Sequence, residues 1–81
     1  MITIVYKISH RTKGDYIDAT WQIGPDRFHC SQRYWGDEEM KAALPHLARR
    51  VHQHISETSA KTGLVYGVTT QLPLRLMETL L

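Results

Sequence analysis

Tyr16-Ile17-Asp18-Ala19-Thr20-Trp21-Gln22-Ile23, then Gly24-Pro25-Asp26, then Arg27-Phe28-His29-Cys30-Ser31-Gln32-Arg33-Tyr34-Trp35: this stretch decides the fold. In the first run Ile17, Ala19, Trp21 and Ile23 alternate with Tyr16, Asp18, Thr20 and Gln22, the period-two pattern of a strand buried on one face. Gly24-Pro25-Asp26 carries turn chemistry. The next run alternates again, with Phe28, Cys30, Gln32 and Tyr34 opposite Arg27, His29, Ser31 and Arg33. Upstream, Ile2 to Ser9 reads as another strand, because β-branched residues dominate and Ile2, Ile4, Tyr6 and Ile8 share a face. The polar segment from His10 to Asp15, with Gly14 free to take positive φ, joins it to Tyr16. The three segments predict an antiparallel meander.

Beyond the meander the period changes from two to three and four. Met40, Leu44, Leu47, Val51, Ile55 and Thr58 make one apolar stripe, which predicts a helix packed on the sheet, with Asp37 as its N-cap and Glu38 and Glu39 in its first turn. Pro45 interrupts the stripe without shifting its phase. That predicts either one kinked helix or a short helix followed by a longer one that starts near Pro45. Thr62-Gly63 is a helix stop, Leu64 to Leu72 reads as a fourth strand, and Pro73 ends it. The tail predicts a short helix or an extended end, with Leu74, Met77 and Leu81 on one face. The fold class is therefore α+β: three meander strands, one long helix, a fourth strand and a short C-terminal element.

At 81 residues the chain has room for one core, so residues 1–81 are read as a single domain. The start lacks a basic leader ahead of a long apolar run, and no stretch is long enough to cross a bilayer, so a soluble cytoplasmic protein is expected, in the host cytoplasm if phage-encoded. The lone Cys30 cannot form an internal disulfide or a multi-thiolate zinc site. Net charge is only +2, and it resides in residues 1–36, where five basic residues face three acidic ones. Such a balance permits a nucleic-acid partner without requiring one.

Chemistry-bearing groups are few. His52 and His54, two apart on a helix, point about 200° away from each other and cannot share a metal ion. His46 lies two turns from His54 with no carboxylate or thiolate to complete a set, so these histidines are expected to face solvent. Cys30 falls on the inner face, where a cysteine behaves as a small hydrophobe. Asp15 lies at a turn and Asp18 on an open strand face, which is no acid/base pair, and no nucleophile motif or phosphate loop is present. The reading is a non-enzymatic protein with no cofactor and no metal.

The distinctive surface signal combines basic and aromatic residues. Arg27, His29, Ser31 and Arg33 project from one face of the third strand, Lys7 is placed to share it, and His10, Arg11 and Lys13 occupy the adjoining turn. Tyr16, Tyr34 and Trp35 lie close in sequence and are of the type that anchors protein interfaces or stacks on bases. Arg27, His29, Arg33, Tyr34, Trp35, Arg11 and Lys13 are the candidate partner-binding residues. The tail from Leu72 to Leu81 is a second surface, expected to tuck against the core or to form a homodimer contact.

The meander followed by an amphipathic helix is similar to the second half of a double-stranded-RNA-binding domain. That family has a further helix ahead of the meander and a lysine cluster at the start of the helix that follows; Asp37-Glu38-Glu39 carry the opposite charge here, so its RNA-binding residues are not transferred. In size and element order, with Ile2 to Trp35 as strands and Asp37 to Lys61 as helix, the chain also resembles small phage-encoded inhibitors of the anti-CRISPR type. That resemblance implies inhibition by binding to a protein or ribonucleoprotein complex, with neither catalysis nor cofactor. Direct DNA or RNA binding by the basic face is the alternative.

Overall fold

The meander forms where alternation places it: β1 (Ile2–Arg11), β2 (Gly14–Ile23) and β3 (Asp26–Tyr34) are antiparallel neighbours. Arg11 pairs with Gly14 and Ile23 with Asp26, leaving Thr12-Lys13 and Gly24-Pro25 as two-residue hairpin loops. Gly24, at φ 59, supplies the positive φ that tight hairpins require. These loops fix the register, and with it the face on which every side chain lies. Ile2, Ile4, Tyr6, Ile17, Ala19, Trp21 and Tyr34 face inward and are buried, joined by the half-buried Ile8, Ile23, Phe28 and Cys30. The computed structural model describes residues 1–80, with the side chains of Thr79 and Leu80 excepted.

One uninterrupted helix, α1 (Gly36–Thr62), packs on β3 and β2 and buries Met40, Ala43, Leu44, Leu47, Val51 and Ile55. It therefore continues through Pro45, which lies on the exposed side, and no second helix starts there. Proline in a helix interior costs about 3 kcal/mol. Burying each of Leu44, Leu47, Val51 and Ile55 returns about 1.5–3 kcal/mol, so the continuous stripe wins over the break. The expected Asp37 cap is corrected: Trp35 holds the N-cap position without a side-chain cap, and its backbone N–H instead donates to the Glu39 carboxylate. At the other end Gly63 takes the left-handed conformation, φ 73, and its N–H bonds the Ser59 carbonyl at 2.9 Å.

The helix returns the chain to the end of the sheet where β1 begins, so the next strand runs parallel to β1. This strand, β4 (Val68–Gln71), pairs Ile2 with Val68 through Val5 with Gln71, and the sheet order is β3-β2-β1-β4. The fourth strand is shorter than the expected Leu64 to Leu72, because residues 64–67 are consumed in leaving the helix. Ser59 Oγ donates to the Leu64 carbonyl, and pairing with β1 starts only where Ile2 N–H donates to the Gly67 carbonyl at 2.7 Å.

After Pro73 a short helix forms, α2 (Leu74–Leu80), with the Leu76 and Met77 N–H groups both on the Pro73 carbonyl. Its roll differs from expectation: Leu76 is buried, while Leu74 and Met77 are exposed. Leu76 is drawn into the core, and an Arg75–Asp37 ion pair at 3.1 Å joins α2 to the start of α1 at the surface. Leu81, the third residue of the expected stripe, lies outside the described residues. Among the described residues no helix is long and apolar enough to cross a membrane.

Candidate docking face

All of the buried cluster belongs to one side of the sheet, the side that α1 covers. The opposite face carries Thr69 and Gln71 from β4, Thr3, Val5, Lys7, Ser9 and Arg11 from β1, Tyr16, Asp18, Thr20 and Gln22 from β2, and Arg27, His29, Ser31 and Arg33 from β3. Register makes rows of them: Lys7, Asp18 and Ser31 across three strands, Val5, Thr20 and His29 beside them, then Gln22 and Arg27. None of these side chains enters the core, and no described helix covers the face.

Asp18 organises the charge there. Its Oδ1 accepts from Arg11 Nη2 at 2.5 Å and from Ser31 Oγ at 2.6 Å, and His29 Nε2 lies 3.5 Å away. Its carboxyl sits below the ordinary carboxylate range: partial burial pushes it up, and this is outweighed by the Ser31 and Arg11 hydrogen bonds together with the charges of Arg11 and His29. Ser31 Oγ is also 3.1 Å from His29 Nε2. Since the serine proton points at Asp18, His29 is not set to remove it, and the same nitrogen faces both partners. Serine, histidine and aspartate here form a charge-pairing hub whose geometry differs from that of a nucleophile relay.

The remaining candidates divide by what engages them. Arg33 lays its guanidinium over the Trp35 ring, 4.2 Å from its centroid, and Trp35 is 62% exposed. Arg11 lies over Tyr16 at 4.4 Å besides pairing with Asp18. Arg27 and His29 are exposed on the face, and Lys13 is exposed at the tip of the first hairpin. Tyr34 is a correction: only 3% exposed, it lies on the inner face under α1, as its place in the alternation requires, and offers a partner nothing. His54 is another. Half-buried, it packs on Phe28 and accepts from Trp21 Nε1, whereas His46 and His52 are exposed.

Lys7 belongs to the face as expected, whereas Thr3, Thr20 and Gln22 stand out only once rows are known. Reading the two hairpin loops as two-residue turns would have supplied those rows. Among the described residues no group of three histidine, cysteine or carboxylate side chains is gathered to hold a metal. Comparison with protein-family models, with curated proteins and with solved structures finds no match.

Proposed function

We propose that the protein acts by stoichiometric binding, as small phage-encoded inhibitors of the anti-CRISPR type do, and that it docks its open sheet face on a protein or ribonucleoprotein complex in the cytoplasm. The observation that carries this reading is the Arg33–Trp35 stack standing exposed at one end of β3, with His29 and Arg27 further along the same strand, on a sheet face that no described helix covers. Arginine and tryptophan dominate interface hot spots, and a stacked pair loses little further conformational freedom on binding. The hub at Asp18 supports the same reading, because it holds neighbouring side chains in place before a partner arrives.

Capture of a partner from the host with tagged protein tests it. Arg27→Glu with Arg33→Glu should abolish capture while circular dichroism and thermal unfolding stay as in the parent. Undiminished capture by that double variant moves the interface elsewhere.

Direct nucleic-acid binding through the same face is the second reading, favoured by Lys13 standing exposed at the hairpin tip next to Arg11. It requires affinity for DNA or RNA that falls with salt by a log slope of about 0.9 per phosphate neutralised on a duplex. Absence of binding at low salt removes it.

A further inference from the structure

The open face is not uniformly charged, and where its surplus lies says what kind of partner it fits. Asp18 stands directly across from Lys7, yet its bonds go to Arg11 and Ser31 and leave Lys7 out. Among the described residues neither Lys7 nor Arg27 has a carboxylate at ion-pair distance. These two cations line one shallow basin, together with the Thr3 and Thr20 side chains and Gln22, over a floor that includes Val5. Strand spacing and rise put their backbones about 17 Å apart across β2, so both side chains reach into the basin from opposite ends. Arg11 and His29, by contrast, already share the charge of Asp18.

Resting on the docking-face reading, the geometry points to this basin as the anchor for an acidic polypeptide segment of the partner, with its carboxylates received by Lys7 and Arg27. Hydroxyl and amide groups between the two cations can donate to carboxylate oxygens. A nucleic-acid strand fits the face less well. Strands are gripped by stacking bases on rings, and the two rings this face carries among the described residues, Tyr16 and Trp35, lie toward the other end of the sheet from the basin and are occupied by Arg11 and Arg33. A duplex is gripped by many phosphate contacts, and the basin supplies two cations.

Fluorescence anisotropy with a fluorescein-labelled decaglutamate peptide, a 20-nucleotide single-stranded DNA and the matching duplex tests this at low salt. The peptide should bind the parent protein more tightly than either DNA does. Lys7→Glu and Arg27→Glu should each weaken it by about five- to tenfold, the scale of reversing one exposed contact. Asp18→Asn, which unmasks Arg11 and His29, should tighten it. Peptide binding indifferent to both charge reversals overturns the inference, as does DNA binding tighter than the peptide and lost in the same variants. If the peptide fails to bind while Arg27→Glu with Arg33→Glu still abolishes capture of the natural partner, the docking face stands and the acidic anchor falls. If the peptide binds as described and that double variant captures normally, the basin stands and the wider interface falls.

Discussion

Trp21 donates its indole N–H to Nδ1 of His54 at 3.3 Å, tying the middle of the sheet to the second half of α1. Phe28 completes the cluster, stacked on Trp21 and 4.4 Å from the His54 ring. Trp21 is buried, so loss of its acceptor strands a polar group out of reach of water. His54→Leu, which keeps the apolar contact and removes the acceptor, should cost about 1–3 kcal/mol in urea unfolding and shift the Trp21 emission. His52→Leu, one face away and exposed, should be near neutral.

Tyr34 presents the opposite case. Its hydroxyl is buried with no hydrogen-bond partner among the described residues. Burial first, and the nearby Asp15 and Asp37 charges after it, push the phenol above the ordinary tyrosine range, with Arg75 pulling the other way. Tyr34→Phe should therefore leave stability unchanged or raise it by about 1–3 kcal/mol, the scale of an unsatisfied buried group. The pH sign follows from the raised value. The folded state holds its proton more tightly than the unfolded chain, so this contribution is intact below the unfolded tyrosine pKa and is lost as pH rises through the folded one. Tyr6, also raised chiefly by burial, shows the same alkaline loss, and Tyr34→Phe should remove only part of it. Equal alkaline destabilisation of parent and variant in thermal unfolding would refute this assignment.

Alternation and helical spacing are local codes, and what they specify is legible in the chain: Ile17, Ala19 and Trp21 inward, Asp18 and Thr20 outward, Leu44, Leu47, Val51 and Ile55 toward the sheet. What depends on distant partners is not. The length of β4 is set by how α1 ends at Gly63 and by where Ile2 offers its N–H, so an apolar run beginning at Leu64 overstates the strand. The roll of α2 depends on where the distant core accepts a side chain, and exchanges Leu74 and Met77 for Leu76. The basic face was visible as a list of residues, but its division into a neutralised hub around Asp18 and an unpaired pair, Lys7 and Arg27, needs the register across three strands.

Gly14 takes φ 134, and a Cβ built there would meet Arg33 Nε at 2.9 Å. The positive φ demands glycine, whereas the close approach is to the movable end of the Arg33 side chain, which a methyl group would push aside. Gly14→Ala should cost about 1–3 kcal/mol through strain and move Arg33 off the indole, giving a shift in Trp35 emission. Arg33→Ala should reproduce the emission change without the stability loss, which separates the two effects. Partner capture should weaken in both variants, since both dissolve the stacked pair.

Asp18 makes the open sheet face sensitive to acid. Because hydrogen bonds and cations hold its carboxyl below the ordinary range, the folded state binds fewer protons than the unfolded chain between the two pKa values. Stability from Asp18 is thus fully present above the unfolded aspartate pKa and disappears as pH falls through the lower folded value. Asp18→Asn should be less stable than the parent at neutral pH, with the gap closing on acidification across that window. Carboxyl chemical shifts should show Asp18 titrating below the ordinary aspartate range. A stability gap that is constant with pH would mean that the Arg11 and Ser31 contacts are not held in solution.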